Sequence, residues 1–150
     1  MRTRAMRASF RAGQYGEAAL RYSSALRYVG KDGFPSDAEV SDEQEAALQA
    51  AVVSCMLNRA ACRLKLSRPD LAVADAQAVL EQEPNNVKAL FRSGQAKVLL
   101  KDAPGALVDL KRAAELEPND KGIAAELAKC KAAVEAERKR ERATYARMFG

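Results

Sequence analysis

The sequence predicts an all-α protein: three helix-turn-helix repeats stacked into a superhelix and closed by a long seventh helix. Two observations carry this. The segment from Leu57 to Asn86 lines up with that from Phe91 to Asp120 at a shift of 34 residues, placing Ala72 on Ala106, Pro84 on Pro118 and Asn85 on Asn119. A period of 34 suits a helix, a tight turn and a second antiparallel helix. The composition agrees: 48% of residues are hydrophobic, yet Ala, Leu and Val dominate, aromatics are 5% and tryptophan is absent. Such side chains suit helices packed at short range, and no segment alternates as a strand would.

The elements follow in order. Gly13-Gln14-Tyr15-Gly16-Glu17-Ala18 opens a third copy, with an amphipathic run through Ala25-Leu26. Its Ala18 stands 54 residues before Ala72, one period plus 20, and the surplus falls in a Gly-, Pro-, Ser- and Asp-rich stretch. An extended loop is placed there. Ser41 with Gln44 forms a capping-box pattern ahead of the next helix. Ser67 is read as preceding a helix with Pro69 in its first turn, and Asp102 as doing the same with Pro104. The expected helices are 2–12, 15–29, 43–66, 69–82, 86–100, 103–116 and 120–147. They make one domain over 1–150, with repeat 1 at 2–29, a loop at 30–42, repeat 2 at 43–84, repeat 3 at 86–118 and a terminal helix at 120–147. Small residues at Ala60, Ala72, Gly94 and Ala106 let the helices of a hairpin approach closely, and the prolines separate repeats. In the last helix Ile123, Leu127 and Val134 lie at helical spacing and should close the end of the stack, as a terminal repeat must.

Charge and composition exclude several functions. The net charge is +5, but it is unevenly spread. Arg2, Arg4 and Arg7 make the start basic, Asp32, Asp37, Glu39, Asp42, Glu43 and Glu45 make the stretch around the loop acidic, and Arg138-Lys139-Arg140 make the tail basic. Neither basic run is interleaved with aromatics that could stack on bases, so no nucleic-acid partner is expected. Without histidine, and with Cys55, Cys62 and Cys130 outside any CxxC pattern, neither a zinc site nor a disulfide framework is expected. Cys55 and Cys62, seven apart on one helical face, read as core. No general base, Gly-rich phosphate loop or convergent carboxylate pair is visible, so neither catalysis nor a cofactor is expected within the chain. No apolar run suits a membrane span and the Arg-studded start has no secretory h-region. The expected location is cytoplasmic, with the nucleus also open.

At the positions that define the family, the sequence resembles tetratricopeptide (TPR) repeats. The matches are Gly13, Tyr15, Ala18, Tyr22 and Ala25 in the first repeat, Ala60, Ala72 and Pro84 in the second, and Gly94, Ala106, Ala113 and Pro118 in the third. Longer strings resemble the TPR domains of immunophilins, the large cyclophilins and FKBP-type peptidyl-prolyl isomerases. They are Cys55-Met56-Leu57-Asn58, Ala61 to Leu66, Lys88 to Ala96 and the terminal Tyr145-Ala146-Arg147-Met148-Phe149. Immunophilins place an isomerase domain before the repeats, and these 150 residues do not hold one as well; the chain is expected to be an excised C-terminal domain or a relative without the isomerase.

The resemblance implies a co-chaperone module. In such domains a carboxylate clamp of two lysines, two asparagines and an arginine holds the EEVD terminus of heat shock protein 90, or of heat shock protein 70. Asn58, Lys88 and Arg92 match three of the five clamp positions. The first-repeat positions fall at Thr3 and Arg7, and neither matches; Arg7 or Arg4 would bring positive charge, though a guanidinium there could equally block the pocket. The competing reading makes Lys88 and Arg92 solvated charges and Asn58 a packing amide, in a scaffold that binds an unrelated protein. In FKBP-type relatives the last helix is assigned calmodulin binding, and Arg138, Lys139, Arg140 and Arg142 precede Tyr145, Met148 and Phe149 here. Glu135, Glu137 and Glu141 interleave with that run, which favours instead a solvated helix with ion pairs one turn apart.

Overall fold

Small residues and helix caps dominate the local sequence, and the architecture follows from them. The computed structural model describes residues 14–30 and 41–150. It contains six helices among the described residues: α1 (Tyr15–Gly30), α2 (Asp42–Lys65), α3 (Pro69–Gln82), α4 (Val87–Leu99), α5 (Ala103–Leu116) and α6 (Lys121–Phe149). Each lies within two residues of its expected bounds. The expected helix at 2–12, and with it Thr3 and Arg7, lies outside the described residues, as does nearly all of the 30–42 loop. The chain forms two compact units that meet in sequence at Pro84 and Asn85.

In the first unit α1 packs on α2 and α2 on α3. Ala18 and Tyr22, one turn apart, are buried with Cys62 of α2, while Tyr15, Ala19, Ala25 and Cys55 pack around them. Helix α2 begins with the expected capping box: the Gln44 N–H donates to Ser41 Oγ at 3.2 Å, and the Ser41 N–H donates to Gln44 Oε1 at 3.0 Å. Asp42, Glu43 and Glu45 fill its first turn, where carboxylates favour the helix dipole.

Ser67 precedes a helix with Pro69 in its first turn, as expected. The N-cap of α3 is Arg68, without a side-chain cap. Ser67 ends α2 in the left-handed region with φ 57°. The Arg68 N–H donates to Arg63 O at 2.8 Å and the Ser67 N–H to Leu64 O at 3.1 Å, the crossed pair of a Schellman motif. One period later α4 ends the same way. Lys101 has φ 64°, and Asp102 and Lys101 donate to Lys97 O and Val98 O at 2.9 and 3.1 Å.

In the second unit α4 packs on α5, and α6 packs on α5 and more sparingly on α4. Asn86 and Asp120, also 34 apart, cap α4 and α6 by accepting from the Ala89 and Ile123 N–H groups. Asp102 precedes α5 with Pro104 in its first turn, as expected, and also caps it by accepting from the Gly105 N–H at 3.0 Å. Ala106, Leu110 and Cys130 form the buried centre, with Phe91, Val98, Leu107 and Leu127 around them. Ile123 is buried too, so α6 covers the end of the last hairpin with Ile123, Leu127 and Cys130. Gly94 lets α5 approach α4 closely: a Cβ there would lie 2.6 Å from Leu110 Cγ.

An ion network in each hairpin repeats with the same period. Asp75 of α3, 4% exposed, accepts from Arg59 Nη2 at 2.6 Å and Nε at 3.0 Å, and from Arg63 Nη1 at 2.8 Å. Arg59 also donates to Ser23 Oγ of α1 at 3.2 Å, linking three helices. Shifting Asp75, Arg59 and Arg63 by 34 gives Asp109, Ser93 and Lys97. Asp109 Oδ2 accepts from Ser93 Oγ and Lys97 Nζ, both at 2.7 Å. A buried carboxylate is tolerated only with its lone pairs satisfied, and both hairpins satisfy theirs across the helix pair.

Candidate peptide-binding site

Helices α2 and α4 are the first helices of repeats 2 and 3, and they carry Asn58, Lys88 and Arg92, the site residues expected from the sequence that fall within the described part of the chain. Asn58 lies on α2, half-buried, and its amide has no partner among the described residues. Residue 58 plus one period is 92, so Asn58 and Arg92 occupy equivalent positions in successive repeats.

Lys88 and Arg92 lie one turn apart on α4, which places them on one face. Lys88 is exposed, and its ammonium has no anionic partner among the described residues. Arg92 is half-buried and more constrained. Its Nη1 donates to Gln95 Oε1 at 3.2 Å, and its guanidinium lies 5.7 Å from the Phe91 ring centre. Aromatic and amide contacts hold the planar guanidinium in a defined orientation, as recognition of a carboxylate requires. Gln95 in turn donates to Glu126 Oε1 of α6 at 3.5 Å, and Lys129 lies 3.6 Å from the same oxygen. A polar chain therefore runs from Arg92 through Gln95 to Glu126. The sequence reading singled out neither Gln95 nor Glu126 as a site residue. Gln95 could have been found from its place seven residues after Lys88 on the same face; Glu126 could not, since 31 residues separate it from Gln95.

The remaining candidates stand apart. Residues 138–149 of α6 are exposed throughout, including Arg138, Lys139, Arg140 and Arg142. Tyr145 and Phe149 pack ring to ring at 4.7 Å, one turn apart. The ion pairs expected along this stretch are not formed among the described residues. Cys62 and Cys130 are buried and Cys55 half-buried. Burial pushes the Cys130 thiol up, with the charges of Asp102 and Glu126 acting in the same direction. It also pushes up that of Cys55, against the opposing charge of Arg59.

Comparison with known proteins decides what kind of domain this is. No protein-family model matches the chain. Human peptidyl-prolyl cis-trans isomerase FKBP4 is 31% identical over 140 residues, covering 93% of the chain. The C-terminal TPR-containing domain of a Plasmodium falciparum FK506-binding protein superposes with a TM-score of 0.81 at 26% identity, covering 92% of this chain and 89% of that one. The chain is a tetratricopeptide-repeat domain that matches those of immunophilins. The TPR domain spans about 29% of the length of the curated relatives it matches. That likeness lies in the repeats, so the catalytic isomerase domain of FKBP4 is outside the matched region. The TPR domain also resembles the myosin chaperone UNC-45 of C. elegans, solved with a Hsp90 peptide: 30% identity, TM-score 0.72, over 95% of this chain and 14% of that one.

Proposed function

We propose that this TPR domain is the chaperone-binding module of a co-chaperone and holds the acidic C-terminal tail of a heat shock protein of the Hsp90 class. The observation that carries the reading is the pairing of Lys88 with Arg92. An exposed ammonium without an anion among the described residues stands one turn from an oriented guanidinium. A free C-terminus next to an acidic side chain presents two anionic groups a few ångströms apart, and two cations at one-turn spacing neutralise both. Lys88 pairs with the terminal aspartate or its carboxylate, and Arg92 takes an acidic side chain or a carbonyl further along the peptide. Asn58, in the equivalent position of the preceding repeat, adds a directional amide hydrogen bond to the carboxylate. Each charge-assisted bond is worth roughly 1.5–3 kcal/mol. The Hsp90 peptide held by UNC-45 supports the ligand class.

Thr3 and Arg7 stand where the family's first lysine and asparagine belong, so the proposed clamp rests on Asn58, Lys88 and Arg92. A tail of the Hsp70 class offers the same EEVD terminus and is the second ligand to compare. Calorimetric titration of the chain with an EEVD-terminated peptide tests the reading. Lys88→Ala and Arg92→Ala should each weaken binding at least tenfold. Unchanged affinity in both variants would remove the clamp from consideration.

A further inference from the structure

The polar chain that leaves Arg92 ends in a carboxylate whose local partners are weak. Gln95 reaches Glu126 Oε1 at 3.5 Å, the outer limit of a hydrogen bond, and Lys129 reaches the same oxygen at 3.6 Å from a side chain that is 70% exposed. Glu126 itself is only 19% exposed. A carboxylate held in a partly desolvated position and served by one long amide contact and one loose ammonium has capacity for a stronger cation. Its place is also informative. Lys88, Arg92 and Gln95 follow one face of α4, and Glu126 meets the end of that row from α6. From Lys88 to Gln95 the helix rises about 10 Å, the length of about three residues of extended peptide. A cationic pair and an anion therefore share one surface within the reach of a short peptide.

We infer that Glu126 is a specificity-determining residue that receives a basic side chain lying a few residues ahead of the ligand's acidic terminus. This rests on the clamp reading above. A tail with an arginine upstream places its guanidinium on Glu126 and displaces the loosely held Lys129, because a planar guanidinium can engage both carboxylate oxygens and an ammonium cannot. A tail with a neutral residue there leaves Glu126 as it is. An acidic residue there is repelled. The domain thus ranks tails with the same EEVD terminus by the charge upstream of it.

The test compares three peptides, SRMEEVD, SAMEEVD and SEMEEVD, by fluorescence anisotropy against the full chain and its Glu126→Gln and Glu126→Lys variants. The folded state of each variant is checked by circular dichroism. The wild-type chain should prefer the arginine peptide over the alanine peptide by roughly three- to tenfold, as a partly exposed charge pair gives. Glu126→Gln should bring that ratio close to one, and Glu126→Lys should invert the order of the arginine and glutamate peptides. The same ratio in wild type and Glu126→Gln, or no inversion with Glu126→Lys, overturns this inference and leaves the clamp standing. Failure of the wild-type chain to bind any of the three overturns the clamp reading and this one with it.

Discussion

Replacing Gly94 by alanine puts the hairpin geometry to a test in which the sign of the effect is decisive. An ordinary glycine inside a helix costs about 1 kcal/mol relative to alanine, so Gly94→Ala would stabilise α4 if nothing faced it. Here the new Cβ would stand 2.6 and 2.7 Å from Leu110 Cγ and Cδ2, and 3.2 Å from Cδ1. Leu110 is fully buried with Ala106 and Cys130, so it can yield only by shifting within a packed core. Overpacking of this kind costs about 1–3 kcal/mol, and two contacts under 3 Å argue for the upper half. After the helix-propensity gain, the net loss is about 1–2 kcal/mol. In a chain of this size that lowers the melting temperature by roughly 2–8 °C. The second repeat shows the alternative solution: the positions equivalent to Gly94 and Leu110 are Ala60 and Ala76, both fully buried. Leu110→Ala alone should cost about 2–5 kcal/mol, and the double variant Gly94→Ala/Leu110→Ala should cost less than the sum of the two. Urea denaturation followed by circular dichroism measures all three. A rise in stability with Gly94→Ala, or strict additivity in the double variant, would refute the close-approach argument.

Three further outcomes follow from the same geometry. Ser67→Gly and Lys101→Gly should each stabilise the chain by about 1 kcal/mol, since both residues occupy the left-handed region that costs an L side chain about that much; a lower urea midpoint in both would contradict the Schellman assignment. Asp75→Ala leaves Arg59 and Arg63 facing each other without their anion and should cost about 3–5 kcal/mol, measured in the same way. Because burial raises the Cys130 thiol in the folded chain, its protonated form is favoured by folding. That contribution to stability is complete below the ordinary thiol pKa and is lost as the pH climbs through the raised one. Alkylation of Cys130 by iodoacetamide, followed by mass spectrometry, should therefore need a higher pH in the folded chain than in urea.

The parts of this fold that repeat were the parts legible in the sequence. A shift of 34 residues located the hairpins, because Ala72 and Ala106 or Pro84 and Pro118 are small or helix-breaking residues whose structural meaning is local. Helix bounds came out close for the same reason: Ser41 with Gln44, and Asp102 with Pro104, act within one turn. The left-handed turn at Ser67 went unforeseen, because the short connection between α2 and α3 imposes it and a serine does not signal it. Gly13, at the equivalent sequence position of the first repeat, was the available clue. The Asp75 and Asp109 networks went unseen because their partners lie 12 to 16 residues away on another helix. The candidate site divides in the same way. Lys88 and Arg92 are legible as neighbours on one helix, while Glu126 joins them only through packing between α4 and α6.

The most direct test of the central claim compares two forms of one ligand, an EEVD peptide with a free C-terminal carboxylate and the same peptide amidated, in calorimetric titrations at low and moderate salt. If Lys88, Arg92 and Asn58 hold the tail, the free acid binds, amidation weakens it at least tenfold, and added salt weakens the free acid more than the amide. Equal affinities for the two forms, or binding by neither, would contradict the account.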